Sequence, residues 1–438
     1  MRRTGVALGA LLISSLALTA CSGGDDDEGD TSAAACAPSS DKQVTLTFTS
    51  WIPGIEDVVE TWNSQHADIQ VKVQTGPNGN GGTYQNFFNQ LKAGNAPDLG
   101  QIEYDALPSF RVQDGLMDLG TCSDVTAAKD KFVDWTWSQV SFGEQGHVYA
   151  VPQDAGPMAL FYRKDLFEKN NIKVPTTWQE YADAAAKVKA AGGYITNFSN
   201  SDINQFAGLA WQAGGHWFTN DGTNWTVSLT DPATSKVAAY WQDLEDQGLI
   251  AKHGSAWDPQ FNKASEAGKV LTFVAASWAA GGIKSDLKGE AGKWRVAPMP
   301  TWEAGDNKSA SSGGSATSVL TGCKTPREAV QFADFLSSDP QAVKTGIEGG
   351  LYPASKAGQD DPLLTGGDPF FGGQKVGDVF KASAAQVPST WTNGPTYQQV
   401  QTDLTGAMGK GTLPDAVTKV QASTVAAIKK LGLSVTNG

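Results

Sequence analysis

From Val44 onward apolar and polar positions alternate. Val44, Leu46 and Phe48 are separated by Thr45, Thr47 and Thr49, and this period of two predicts a strand ending at Ser50 and Trp51. The period then lengthens. Ile55, Val58, Val59 and Trp62 recur at helical spacing, residues 69–73 read as a second strand, and Tyr84, Phe87, Phe88 and Leu91 mark another amphipathic helix. Downstream the same succession resumes with a strand over 159–162 and a capping box, Thr177-Trp178-Gln179-Glu180, opening a helix that carries Tyr181, Ala185 and Val188. Asp231-Pro232 opens a helix bearing Val237, Tyr240, Trp241 and Leu244, and Thr325-Pro326-Arg327-Glu328 reads as a further capping box with proline at the first helical position. Strands alternating with helices predict an α/β architecture with largely parallel sheets. Ligands of such sheets sit beyond the carboxyl ends of strands. Trp51, the run Glu103-Tyr104-Asp105, and Trp278 after the apolar stretch 270–276 occupy such places.

Ahead of the first strand, Arg2 and Arg3 precede an apolar run over 5–18 that closes in Leu18-Thr19-Ala20-Cys21. The run is shorter than the ~20 residues a bilayer span needs. Small residues before a cysteine read instead as a lipoprotein signal peptide, residues 1–20, with Cys21 the lipidated N-terminus of an extracytoplasmic chain anchored to the cell membrane. Residues 21–41 are mostly Ser, Gly, Asp, Ala and Thr, the composition of a disordered tether. Their acidic cluster reads as a solvated charge run rather than a metal site. The remaining ~400 residues are too many for one ordinary core and predict two lobes. Net charge is −13, and loss of Arg2 and Arg3 with the signal leaves −15. Such a surface repels nucleic acid and anionic lipid. The ligand is therefore expected to be small and either uncharged or cationic.

Catalytic chemistry is sparse. His66, His147, His216 and His253 lie far apart without metal-type spacing, and Gly79-Asn80-Gly81-Gly82 lacks the Lys-Ser/Thr pair of a phosphate loop. No metal and no cofactor is expected. Carboxylate pairs leave no spacing signature, so a secreted glycosidase stays open as a rival reading. What the chain has in excess is tryptophan, fourteen residues, several of them in loops. A sugar presents C–H faces to aromatic rings and hydroxyls to planar polar groups, and Trp51, Trp211, Trp217, Trp278 and Trp391 suit that role as well as they suit a core. Trp62, Trp178 and Trp241 fall on apolar helical faces and are assigned to the interior. With Cys21 committed to lipid and Cys36 in the tether, Cys122 and Cys323 are either a disulfide or two buried thiols; spacing does not choose.

Four segments carry a resemblance over nearly the whole chain beyond the signal. They are Phe48-Thr49-Ser50-Trp51 leading to Trp62-Asn63; Leu91-Lys92-Ala93-Gly94-Asn95-Ala96-Pro97-Asp98; Val148-Tyr149-Ala150-Val151-Pro152 through Leu160-Phe161-Tyr162-Arg163-Lys164-Asp165-Leu166-Phe167; and Ala329-Val330-Gln331-Phe332-Ala333-Asp334-Phe335-Leu336 before Leu351-Tyr352-Pro353. In their order and spacing the sequence resembles the family 1 extracellular solute-binding proteins of carbohydrate ABC importers, of the maltodextrin-binding type. The resemblance implies a two-lobed, class II periplasmic-binding-protein-like fold, each lobe a mostly parallel sheet flanked by helices, with the ligand cleft between lobes. Lobe one would comprise 42–151 and 298–350, and lobe two 152–297 and 351–438. Implied ligand contacts are Trp51, Glu103, Tyr104, Asp105, Gln153, Asp154, Trp278, Gly314, Tyr352, Trp391 and Tyr397, with Trp211 and Trp217 matching by neighbourhood. Implied partners are a mono- or oligosaccharide and the membrane permease of the importer, served by a monomer through hinge closure. A binder of amino acids or peptides is the other alternative, and it would need an arginine such as Arg111 or Arg163 for the ligand carboxylate. Cys122 and Cys323 both map to lobe one, so a disulfide between them is expected.

Overall fold

The structure, a computed structural model, describes residues 36–198, 203–251, 259–408 and 410–438. The signal segment 1–20, Cys21, most of the tether and His253 lie outside these residues.

Two sheet-centred lobes meet along a set of crossing strands. In the first sheet β1 (Val44–Ser50), β2 (Ile69–Thr75) and β3 (Leu99–Glu103) are parallel, in the order β2-β1-β3. The alternation read from the sequence is the burial pattern of β1: Val44, Leu46 and Phe48 are buried, while the intervening threonines are not fully so. Helix Ile55–Gln65 lays Ile55, Val58, Val59 and Trp62 against this sheet, and the Trp62 indole donates to the Ile69 carbonyl at 2.8 Å, locking the helix to β2. Strand β10 (Ser315–Val319) runs antiparallel between β3 and β4 (Val151–Pro152).

The second sheet departs from the expected parallel arrangement. Its central strand β5 (Met158–Arg163) pairs antiparallel with β8 (Thr272–Ala276) and β9 (Trp294–Ala297), and parallel pairing is confined to single bridges such as Tyr194 with Val270. The cause is connectivity. β5 carries the chain away from the crossing, whereas β8 and β9 carry it back, with Ala276 and Ala297 at the crossing end. A small sheet of β6 (Phe218–Asn220), β7 (Trp225–Val227) and β11 (Val435–Asn437) completes the strands.

At the crossing three passes of the chain lie side by side. Gln153 and Asp154 donate their N–H groups to the Ser315 carbonyl at 3.0 and 3.2 Å, Ser312 donates to Gly156 at 2.8 Å, and Ala155 donates to Tyr352 at 2.7 Å. A Cβ on Gly156 would fall 2.1 Å from the Ser312 carbonyl oxygen, so this contact requires glycine. The loop after β9 stays with the second sheet: Trp178 donates its N–H to the Thr301 carbonyl at 2.9 Å, and the Ser309 and Ser383 hydroxyls are paired at 2.6 Å.

The cysteine pairing differs from expectation. Cys122 is bonded to Cys36, with Cα atoms 5.3 Å apart, and Cys323 is a buried free thiol whose pKa burial pushes up to about 12. Cys323 follows β10 and lies beside Asp98 within the core, while Cys122 starts the helix Ser123–Ala127 where the N-terminal segment passes. The end of the tether is therefore fastened: besides the disulfide, the Ser39 N–H donates to the Glu328 carboxylate at 2.8 Å. Non-reducing peptide mapping should recover the Cys36 and Cys122 peptides linked, with Cys323 alkylated only after unfolding. A Cys122–Cys323 peptide would contradict the assignment. Because the bond spans 86 residues, Cys36→Ser should lower unfolding free energy by about 2–4 kcal/mol in urea titration.

Candidate functional site

Where the lobes face each other, side chains from both enclose a cavity of about 30 Å³. From the first lobe come Tyr104 and Asp105, just past the carboxyl end of β3, and Trp135 and Gln139 on helix Asp134–Ser141. The second lobe supplies Asn204, Gly208 and Trp211 on helix Ile203–Gln212, and Trp391, Asn393 and Tyr397 ahead of or opening helix Tyr397–Met408. Residues 311–313 of the crossing close the base. Gly208 is needed here, because a Cβ would fall 2.5 Å from the Met158 sulfur and 2.9 Å from the Ser311 carbonyl oxygen.

The aromatic residues form a stack through the second lobe. Trp211 and Trp391 lie face to face at 5.5 Å, and Trp135 meets Trp211 edge-on at 5.6 Å from across the cleft. Beneath them Trp217 packs on Trp391 and Tyr397 and donates its indole N–H to Thr234 at 3.0 Å. Trp217 is fully buried and supports the site rather than lining it. Trp278, expected at the cleft, is 37% exposed at its edge, where its indole donates to the Ser312 carbonyl at 3.0 Å.

Polar groups join the lobes directly. The Gln139 amide donates to the Trp391 carbonyl at 2.9 Å and accepts from Asn393 at 3.0 Å. Gln401 donates to Asp105 Oδ2 at 3.2 Å and to Asn204 Oδ1 at 2.8 Å, and the Tyr397 hydroxyl also donates to Asn204, at 3.0 Å. Asp105 Oδ1 is buried with no hydrogen-bond partner, as is the Trp135 indole nitrogen. Burial, reinforced by the charge of Glu103, pushes the Asp105 carboxyl up to about 8, against the pull of the Asn204 and Gln401 amides. Burial likewise raises Glu103, opposed by the Tyr84 hydroxyl that donates to it at 2.9 Å.

Several expected contacts lie outside the cavity. Asp154 spends its carboxylate on the crossing, where Oδ1 accepts from the Ser315 N–H at 2.8 Å and from the Ser315 hydroxyl, while its carbonyl accepts from the Tyr104 hydroxyl at 2.9 Å. Gln153 is buried in the same crossing. Gly314 has φ +103°, and a Cβ there would meet the Tyr104 ring at 2.8 Å, so its role is conformational. Trp51 packs edge-on against Tyr84 at 6.0 Å, behind Glu103, and Tyr352 packs on Phe380 within the core. Sequence reasoning missed Trp135, Gln139, Asn204 and Asn393. No local signal marks them: Asn204 is followed by Gln205, and Gln139 shares its helix with Thr136, Ser138 and Ser141. Arg111 is held bidentate by Glu144 at 2.8 and 2.7 Å, and Arg163 is buried against Asp165 and Glu290, so neither faces the cavity.

A fold of two α/β lobes, joined by three crossing passes around an aromatic and amide cleft, defines the class of two-lobed solute-binding proteins. The chain belongs to the bacterial extracellular solute-binding protein family, whose model matches residues 48–343. Among solved structures it is similar to the galacto-N-biose/lacto-N-biose I-binding protein of an ABC transporter from Bifidobacterium longum, in complex with lacto-N-biose. That likeness has 30% identity and a TM-score of 0.79, and covers 91% of this chain and 100% of that one. It is also similar to an ABC transporter associated binding protein from B. animalis subsp. lactis Bl-04 in complex with β-1,6-galactobiose, at 29% identity and a TM-score of 0.73, covering 90% and 99% of the two chains. The lactose-binding protein of Rhizobium radiobacter is 28% identical over 63% of this chain, and the match spans 66% of that relative's own length.

The raised Asp105 carboxyl fixes the sign of a pH dependence. The folded state holds this proton above the ordinary carboxylate range of about 4, so the unfolded chain ionises first and stability falls as pH rises from about 4 toward 8. Asp154, pushed up to about 6 by burial, adds to the fall over the lower part of that window. Urea titrations from pH 4 to 8 should show this decline in the wild type and a shallower one in Asp105→Asn. An identical slope in the variant would contradict the burial of this group.

Proposed function

We propose that this protein is the sugar-binding receptor of an ABC importer, tethered outside the cell membrane by a lipid on Cys21, acting as a monomer and delivering its ligand to the permease by hinge closure. Lobe one, 42–151 with 298–350 less the loop after β9 that stays with the second sheet, and lobe two, 152–297 with that loop and 351–438, close on the ligand in this reading. The observation that carries it is the composition of the interlobe cleft: three tryptophan rings and two tyrosines beside the amides of Gln139, Asn204 and Asn393 and the Asp105 carboxyl. Ring faces suit the C–H face of a pyranose, and amides serve hydroxyls as donor and acceptor at once. The relatives' own ligands, lacto-N-biose, β-1,6-galactobiose and lactose, are of that chemistry.

A cavity of about 30 Å³ holds only a water molecule or two, far less than a sugar ring. Ligand entry therefore requires the lobes to part, breaking the Gln139–Asn393 and Asp105–Gln401 hydrogen bonds. Re-closure is favoured to the extent that the ligand contacts both lobes better than they contact each other. The amino-acid or peptide alternative is disfavoured because Arg111 and Arg163 are both committed to carboxylates elsewhere. The glycosidase alternative loses Asp154, whose carboxylate is engaged by Ser315. Family members and named relatives are binding proteins.

Calorimetry with lactose, lacto-N-biose, β-1,6-galactobiose and arabinooligosaccharides should find at least one tight ligand, recovered uncut by chromatography after long incubation. Trp211→Ala should cost about 2–4 kcal/mol of that binding, the range of a buried aromatic hot spot, while the variant still unfolds cooperatively. Hydrolysis of the sugar, or full affinity in Trp211→Ala, would contradict the proposal. Detergent partitioning tests the anchor: Cys21→Ser should move the protein to the aqueous phase.

A further inference from the structure

The cleft is built for a positive charge that the protein itself does not supply. Asp105 lines the cavity, its Oδ1 is buried and unpartnered, and the groups that favour its charged form are neutral: the Gln401 amide at 3.2 Å from Oδ2 and the Asn204 amide beside it. The groups facing it are Glu103 on the same strand end, Tyr84 bound to Glu103 from helix Thr83–Ala93, and Asn204, Tyr397 and Gln401 from the second lobe. Of these groups only Glu103 can carry a charge near neutral pH, and that charge is negative. Among the described residues no lysine or arginine lines the cavity. Elsewhere the buried acids are treated differently: Glu290 is paired with Arg163, and Asp154 accepts both donors of Ser315. Among the described residues Glu328 also keeps a buried oxygen without a partner, but it lies away from the cavity; Asp105 is the one such acid in the cavity wall.

The rest of the wall has the same sign. Trp135, Trp211, Trp391 and Tyr397 present aromatic rings whose faces are electron-rich and attract cations. A net charge of −13 adds a long-range field of the same polarity. We propose that the preferred ligand is an amino sugar with a free amine, a cationic glycoside whose ammonium pairs with Asp105. This deepens the sugar-receptor reading and rests on it. An ammonium at Oδ1 forms a charge-assisted hydrogen bond, stronger than the one a hydroxyl forms with the same oxygen. On binding, the N–H···O pair forms, the Asp105 carboxyl gives up its proton to solvent, and the ammonium keeps its own. An anionic sugar finds no lysine or arginine in the cavity wall to pair with, so the cleft disfavours it.

Lactose and its amino analogues, each with one ammonium in place of one ring hydroxyl, are the probes. Calorimetry at pH 6 on the full-length protein is expected to give at least one amino regioisomer bound ten or more times tighter than lactose. Titrations in two buffers of different ionisation heat should show about one proton released with that analogue and none with lactose. In Asp105→Asn both sugars weaken, and the decisive quantity is their ratio, which should fall to about one. An amino sugar no tighter than lactose with every regioisomer, or an unchanged ratio in Asp105→Asn, overturns the inference and leaves the receptor reading standing. If neither neutral nor amino sugars bind, the receptor reading fails and the inference falls with it.

Discussion

The cleft depends on the point where Asp154 meets Ser315. There a buried carboxylate accepts the backbone and hydroxyl donors that start β10, while the Asp154 carbonyl accepts the hydroxyl of Tyr104. One residue thus ties the first pass between lobes to the second and to the loop after β3. Tyr104 leads directly into Asp105, so the position of the cleft's acid is set by this crossing. Burial raises the Asp154 carboxyl to about 6, against the pull of the Ser315 donors. The site is rigid at its base and divided only between its walls, which is the mechanical requirement of a hinge.

The cavity walls are held by neutral hydrogen bonds and ring contacts, and among the described residues the ion pair between the lobes, Lys356 with Asp134 at 3.3 Å, is solvent-exposed. Gln139 with Asn393, Gln401 with Asp105, and Trp135 on Trp211 join the lobes. Each hydrogen bond of this type contributes on the order of 1 kcal/mol net, because water replaces it when the lobes part. Closure held by a few such contacts is reversible and lets a ligand decide the balance. A permanent interface would need a continuous apolar face on both lobes, and here the first lobe meets the tryptophan stack of the second with the single ring of Trp135 beside the Gln139 amide.

Much of the fold was legible because it rests on local periodicity. The alternation in β1, the helical spacing of Ile55 to Trp62 and the capping box at Thr177 appear as written, the last with both reciprocal hydrogen bonds present, whereas Thr325 opens its helix without a side-chain cap hydrogen bond. Strand direction in the second sheet was not legible, since it follows from which end of each strand touches the crossing. In the site, Tyr104, Asp105, Trp211, Trp391 and Tyr397 were found among the expected residues because strand ends and loop aromatics can be recognised along the chain. Gln153, Asp154 and Gly314 belong to the crossing itself, a role that similarity of segment does not separate from ligand contact. Asn393 and Gln139 were missed because their function is a pairing across the cleft, 254 residues apart in sequence. The disulfide failed for the same reason: Cys36 lies in a stretch with tether composition, and only folding brings it to Cys122.

The central claim is that sugar binding and lobe closure are one event at the cleft between Gln139 and Asn393. Fluorescence energy transfer between a donor on Lys72 in β2 and an acceptor on Lys236 in helix Pro232–Asp246, each replaced by a labelled cysteine in a Cys323→Ser background, follows the lobes directly. Saturating ligand is expected to shift the population to a single high-transfer state, and Gln139→Ala should lower the occupancy of that state without ligand. An unchanged transfer distribution at ligand saturation would contradict hinge closure.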